Sequence, residues 1–264
     1  MNEFAYQRPV SLQDALAALA ALEDARPLAG GQSLLPAMKL GLAAPAGLVD
    51  LSGIAEMRGI AASAAGLRIG AMVSHAQVAA SPEVRRAIPA LAALADGIGD
   101  PAVRARGTLG GSLANNDPAA CYPAALLALG ATVHTDRRRI AADAFLTGLY
   151  ETALEPGELL TAVEFPVPER AAYQKFLQPA SRFALVGVFV AKTRGGARVA
   201  VTGAAACAFR SAELEAALDA HWSSASCDRA SIPHAGLNSD LHASAGYRAH
   251  LIRVLARRAV ERAG

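Results

Sequence analysis

Cysteine is scarce, with three in 264 residues, Cys121, Cys207 and Cys227, all far apart. Without a CxxC or CxxxxCxxC spacing the chain cannot by itself hold an iron–sulfur cluster of the usual thiolate kind or a four-cysteine zinc site. An odd count also argues against a disulfide framework. Long apolar runs are missing too: the longest uncharged stretch, Pro118 to Thr135, is interrupted by Pro123, Gly130 and His134, so no membrane insertion is expected. The opening MNEFAYQRPV carries an acid and no apolar run, unlike a signal peptide, and a cytoplasmic location is the expectation. The formal net charge is only +2, with arginines and lysines scattered, which leaves no electrostatic footprint for nucleic acid. No Walker sequence, HExxH or GxSxG occurs, and the six histidines, including His75, His134 and His221, lack metal-ligand spacing. No metal ligand, acid–base pair or activated nucleophile stands out. If the chain belongs to an enzyme, a cofactor should supply the reactivity.

What is present is a globular pattern, 53% hydrophobic and 18% charged, enough to bury a sizeable core. Ser11 is placed as an N-cap, and Leu12, Leu16, Leu19 and Leu22 repeat at helical spacing behind it. Arg26 to Leu28 reads as a strand ending at AGGQS, SLLPAMKL as a brief helix and LVDL as a second strand. MRGIAASAAGLRIGAM reads as a hairpin turning near Ser63 to Gly66. Ser74 caps a further helix, Pro82 to Ala95 is expected to form another, and Asp117-Pro118 is read as the start of one running to Leu129, followed by a strand ATVHT. Beyond Pro166 and Pro168 two apolar segments meet at Arg194-Gly195-Gly196 as an antiparallel hairpin, and helices are expected near Ser211 to His221 and Gly246 to Arg262. The proline pair marks a boundary between an α/β region and a smaller α+β region.

Two glycine-rich loops carry the functional signal, AGGQSLL at Ala29 to Leu35 and GTLGGS at Gly107 to Ser112. Glycine permits positive φ and close approach of a ligand to bare N–H groups, and successive inward N–H groups form an anion-binding nest. Ser33, Thr108 and Ser112 add hydroxyls suited to pyrophosphate or ribityl oxygens. Main-chain amides from both loops are therefore expected to do the binding. Gly97-Ile98-Gly99-Asp100-Pro101-Ala102 matches GxGxxA on paper, but a helix precedes it, and Asp100 and Pro101 place a charge and a missing N–H where pyrophosphate would sit. Arg137-Arg138-Arg139 reads as a solvated turn.

AGGQSLLPAMKLGLAAPAGLVDLSGI, LRIGAMVSHAQVA, IGDPAVRARGTLGGSLANNDPAA, ELLTAVEFPVP and SRFALVGV, in this order, resemble the flavoprotein (medium) subunit of molybdenum hydroxylases, the carbon monoxide dehydrogenase and xanthine dehydrogenase family. The similarity runs over nearly the whole chain. It implies an α/β (α+β) fold: a two-lobed FAD-binding domain of the vanillyl-alcohol-oxidase type at residues 1–168, with lobes about 1–52 and 53–168, and a smaller C-terminal α+β domain with an antiparallel sheet at 169–264. By motif matching, Ala29, Gly30, Gly31, Gln32, Ser33 and Leu34 would hold the FAD diphosphate from one side, and Thr108, Gly110, Gly111, Ser112 and Asn115 from the other. Leu28 and Leu160 match the adenine end or loop floor, while Ile98 and Phe183 match positions near the flavin ring, with a core aromatic as the alternative for Phe183. One position departs: DPAAC puts Cys121 where the family usually has an acid, and a thiol replaces a carboxylate acceptor poorly.

The resemblance implies a cytoplasmic oxidoreductase subunit that relays electrons. A large subunit would carry the molybdenum cofactor, a small subunit two 2Fe-2S clusters, and this chain FAD, with a dimer of heterotrimers as the implied assembly. The scarcity of cysteine agrees with clusters held by a partner. Two rival readings stand beside this one, a free-standing flavin oxidase and a scaffold subunit that has lost FAD.

Overall fold

The computed structural model describes residues 3–63 and 66–264. The chain first forms β1 (Ala5–Gln7), α1 (Leu12–Ala21), β2 (Ala25–Leu28), α2 (Leu34–Lys39) and β3 (Gly47–Asp50), whose strands make a parallel sheet in the order β1-β3-β2. Ser11 starts α1 as its spacing predicts, accepting a hydrogen bond from the Asp14 N–H at 3.1 Å, and Ala15 and Ala18 turn inward. β2 ends in the first glycine loop. That loop therefore sits at the carboxyl end of a parallel strand, where open α/β sheets leave a crevice.

A second, antiparallel sheet follows. Its members are β4 (Ile60–Ser63), β5 (Gly66–Gly70), β6 (Thr132–Thr135), β7 (Arg139–Ala141) and β10 (Leu160–Phe165), in the order β4-β5-β10-β6-β7. The expected hairpin is present, with Ile60 opposite Ile69; its turn residues Ala64 and Ala65 lie outside the described residues. Between β5 and β6 come α3 (His75–Ala80), α4 (Pro82–Ala87), α5 (Pro89–Asp96), α6 (Pro101–Arg106), α7 (Leu109–Asn115) and α8 (Tyr122–Ala128), and between β7 and β10 come α9 (Ala142–Phe145), β8 (Leu146–Gly148) and β9 (Glu151–Thr152).

Three expectations change. The single helix expected over Pro82 to Ala95 is two, because Pro89 cannot donate to the preceding turn and the chain breaks at Ile88 (φ −142°, ψ 74°). The helix expected to begin at Pro118 begins at Tyr122. Asp117 caps only a local turn, accepting from the Ala119 N–H at 2.8 Å, just after Asn116 in a left-handed conformation (φ 43°). The arginine triplet is not merely solvated: Arg137 and Arg138 reach Glu155, and Arg138 also pairs with Glu158 at 2.9 Å.

The remainder forms β11 (Arg170–Leu177), β12 (Ala184–Thr193), β13 (Gly196–Thr202) and β14 (Phe209–Arg210), an antiparallel sheet in that order, covered by α10 (Ala212–Ala220), α11 (Ser224–Arg229) and α12 (Ala245–Ala263). The hairpin turns where expected, with Thr193 opposite Gly196. Strand β12 is covered on both faces. Val186, Val188 and Val190 pack with Leu214, Leu218, Ile252 and Leu255 of the helices, while Phe189 and Ala191 join the core of the preceding sheets. That double burial is why ALVGVFVA reads as an unbroken apolar run.

This sheet also grips the turn before α8. Thr202 Oγ1 donates to Pro118 O at 2.8 Å or Ala120 O at 2.6 Å, and the Gly203 N–H donates to Pro118 O at 2.7 Å. Among the described residues no helix is long and apolar enough to cross a membrane.

Candidate functional site

The two glycine loops touch. A Cβ on Gly30 would run into the Arg106 carbonyl oxygen and stand 2.7 Å from Gly107 Cα, and one on Gly111 would stand 3.2 Å from Ala29 Cβ. A Cβ on Gly110 would press 2.9 Å from Ala71 Cα. Of these residues only Gly31 has a positive φ (71°). Gly30 and Gly110 are therefore glycine for close approach between backbones, and Gly111 for close approach to the side chains of Thr108 and Ala29, not for a left-handed turn.

Beside this contact opens a cavity of about 440 Å³. Residues 28–34 line one side, Thr108, Gly110, Gly111, Ser112 and Asn115 another, and Ile98, Leu160 and Phe183 complete the wall. All of the residues singled out from the sequence thus surround one space. Phe183 is 51% exposed, which removes the core-aromatic alternative.

Hydrogen-bond accounting separates the loops. Among the described residues none accepts from the N–H groups of Gly30, Gly31, Gln32 or Ser33, so these donors are free to meet an anion. The second segment, expected as a loop, is from Leu109 onward the start of α7, and there the amides are spent: Leu109 N–H donates to Val73 O at 3.0 Å, Gly110 N–H to Ala71 O at 2.9 Å, and Ser112 N–H to Thr108 O at 3.0 Å, which leaves the Thr108 N–H without an acceptor among the described residues. The Gly111 N–H donates to Thr108 Oγ1 at 3.1 Å, which makes Thr108 the N-cap of α7. The expectation of main-chain binding from both segments is narrowed, since in the second the open main-chain donor is the Thr108 N–H. The first loop offers amides, the second its Thr108 and Ser112 hydroxyls and the Asn115 amide.

Sequence reasoning missed three polar groups on the wall. His75 is 5% exposed and lines the cavity, with Nδ1 buried and unpartnered. Burial, helped by the charge of Arg104, lowers its pKa to about 4, so the ring is neutral at pH 7. It packs beside Tyr122, centroids 5.4 Å apart. Glu158 is held to about 2 by the Arg138 hydrogen bond first, and by the Glu155 N–H and Thr135. Its side chain is fully covered, and it stays ionised as a paired carboxylate. Lys175 of β11 reaches across to the wall, donating to Gly97 O at 2.7 Å, Arg182 O at 3.3 Å and Cys121 Sγ at 3.5 Å. None of the three carries a local sequence signal, because each is brought to the cavity by elements distant in the chain.

Comparison with known proteins agrees with this geometry. Residues 2–168 match the family described as the FAD binding domain in molybdopterin dehydrogenase. The carbon monoxide dehydrogenase medium chain of Afipia carboxidovorans is 40% identical over 205 residues, 75% of this chain and 71% of that one. The nicotine 6-hydroxylase medium subunit of Paenarthrobacter nicotinovorans is 36% identical over 98% of this chain and 96% of its own. Among solved structures, reconstituted CO dehydrogenase from Oligotropha carboxidovorans superposes with a TM-score of 0.93 at 36% identity, covering 99% of this chain and 98% of that chain. Quinoline 2-oxidoreductase from Pseudomonas putida 86 superposes with a TM-score of 0.89 at 33% identity, covering 99% and 97%. The chain belongs to the FAD-binding medium subunits of the molybdenum hydroxylase family, and it is an oxidoreductase subunit.

Proposed function

We propose that this chain binds FAD in the cavity between its glycine loops and relays electrons from iron–sulfur clusters of a partner subunit to an external acceptor. The observation that carries the reading is that Gly30 to Ser33, whose N–H groups have no acceptor among the described residues, line one cavity together with Thr108 and Ser112. A diphosphate is the anionic centre that such a row fits, and no Cβ obstructs it at Gly30, Gly31, Gly110 or Gly111. Gly30, Gly31, Gln32 and Ser33 would hold the diphosphate with their amides. Thr108, Ser112 and Asn115 would hold it and the adjoining sugar carbons with side-chain groups. Leu28, Ala29, Leu34 and Leu160 would form the apolar floor, and Ile98 and Phe183 would flank the flavin ring.

FAD supplies one- and two-electron chemistry when bound, which suits a junction between single-electron carriers and a two-electron acceptor. The protein's part is to bind, orient and shield it. His75, neutral at pH 7, and the covered Glu158 add polarity to the wall without a mobile charge. In this reading residues 1–168 are the FAD-binding domain, in lobes about 1–52 and 53–168, and residues 169–264 close the flavin end through Lys175 and Phe183. The partners are a small iron–sulfur subunit and a large molybdenum subunit in a cytoplasmic dimer of heterotrimers.

Titration of the purified chain with FAD tests the binding step. At a hundred times Kd the ligand should stabilise the fold by about 2.7 kcal/mol, a rise in Tm of about 5–11 °C, with quenching of flavin fluorescence. An unmoved Tm at saturating FAD refutes the reading and supports a scaffold that has lost its cofactor. Co-expression tests the relay: isolation as a yellow, independent oxidase without iron–sulfur and molybdenum chains would overturn it.

A further inference from the structure

We propose that Cys121 and Lys175 are a peroxide-responsive pair that closes into a covalent Sγ–Nζ link, a sulfenamide, in the wall of the cavity. Nζ lies 3.5 Å from Sγ. The lysine head is pinned there by the carbonyls of Gly97 and Arg182, one on the loop after α5 and the other on the loop between β11 and β12. Among the described residues Nζ has no carboxylate partner; the two carbonyls and the sulfur are the groups it meets. Cys121 is only 5% exposed, yet it lines the cavity, which gives a small oxidant a path to it.

A second group marks the spot. The Tyr173 hydroxyl is buried beside Cys121 with the sulfur as its polar neighbour, and an oxygen added to that sulfur would offer it a stronger acceptor. The other thiols lack these features. Cys227 is buried, its pKa raised to about 11 by that burial first, and Cys207 meets only the Asn116 side-chain amide.

The chemistry balances with hydrogen peroxide as the oxidant. Peroxide transfers one oxygen to the thiol, giving a sulfenic acid and a water. Nζ, having given up a proton, then attacks sulfur: the S–N bond forms, the S–O bond breaks and the oxygen leaves as a second water. In sum, a thiol, an ammonium and one peroxide become a sulfenamide, two waters and a proton. Sulfur is oxidised by two electrons and the peroxide is reduced by two. Excess dithiol reverses the change, restoring thiol and amine. The link would tie lobe and C-terminal domain together at the cavity, whatever ligand the cavity holds.

The test is peptide mapping of the purified protein before and after hydrogen peroxide. Trypsin normally separates residues 107–137, 171–175 and 176–182. The proposal expects cleavage after Lys175 to be lost and residues 107–137 to appear joined to 171–182, two hydrogens lighter than the separate peptides combined. Dithiothreitol should release them, and the joined species should be absent in Lys175→Arg and in Cys121→Ser. The idea is overturned if oxidised wild-type protein yields Cys121 as a thiol, or as a sulfinic or sulfonic acid, while residues 171–175 are still released in full.

Discussion

Replacing Gly30 by alanine probes the contact on which the site depends. The new Cβ would fall against the Arg106 carbonyl and stand 2.7 Å from Gly107 Cα and 2.8 Å from Arg106 C, all backbone atoms that cannot rotate away. Either the loops separate or the chain strains, and overpacking of this kind costs about 1–3 kcal/mol. In a protein of this size that lowers Tm by about 2–12 °C. Separation would also pull the free amides of Gly30 and Gly31 away from the second loop. Losing one hydrogen bond to a charged phosphate costs about 1.5–3 kcal/mol, so Kd for FAD should rise about 10- to 150-fold. The assay is paired: thermal melting without ligand, and fluorescence titration with FAD. Gly195→Ala is the control, since its Cβ would meet nothing closer than 3.8 Å, and it should leave both readings unchanged. Wild-type affinity together with wild-type Tm in Gly30→Ala would refute the reasoning that the two loops share one ligand.

Thr108→Val should remove the cap of α7, costing about 1 kcal/mol, and weaken FAD binding through the lost hydroxyl; equal affinity would place the ligand elsewhere. His75 titrates at about 4 in the fold against 6.5 ordinarily, so the unfolded chain binds the extra proton between those values. Stability should fall as pH drops from 6.5 towards 4, by about 3 kcal/mol at the low end, and urea melts of His75→Gln should show a shallower pH slope than wild type over that window. Arg248 is 3% exposed and donates to Leu185 O at 2.7 Å, Gly203 O at 3.0 Å and Asp240 at 2.7 Å. Arg248→Met should cost about 2–5 kcal/mol, read as a drop in the denaturant midpoint, and a midpoint equal to wild type would contradict the role of this side chain in joining those segments.

Much of the fold could be read from local pattern. α1 was legible because a capping serine and a leucine repeat agree, and the β12–β13 hairpin because Gly195-Gly196 interrupts two apolar runs. The helix start misread at Pro118 shows the limit of such signals. An aspartate before a proline also makes a local turn, and the grip of Thr202 and Gly203 on Pro118 O and Ala120 O selects the turn. The α6 helix was missed because its six residues follow a glycine pair that resembled a phosphate loop, while Asp100 is simply its cap, accepting from the Val103 N–H at 2.9 Å. Arg138 was read as solvated because its partner Glu158 is twenty residues away, beyond any local pattern.

By itself the chain's order of residues determined most of the helices and strands and the presence of two glycine-rich segments. Those properties depend on neighbours within a few positions, through periodicity, capping and spacing. Only the tertiary structure decided that Gly30 abuts Arg106 and Gly107, that the amides of Gly30 to Ser33 stay unpaired while those from Leu109 to Ser112 do not, and that Lys175 reaches Cys121. Hydrogen-bond satisfaction is a property of the packed chain, since the acceptors of Leu109 and Gly110 lie on the segment after β5, far away in sequence.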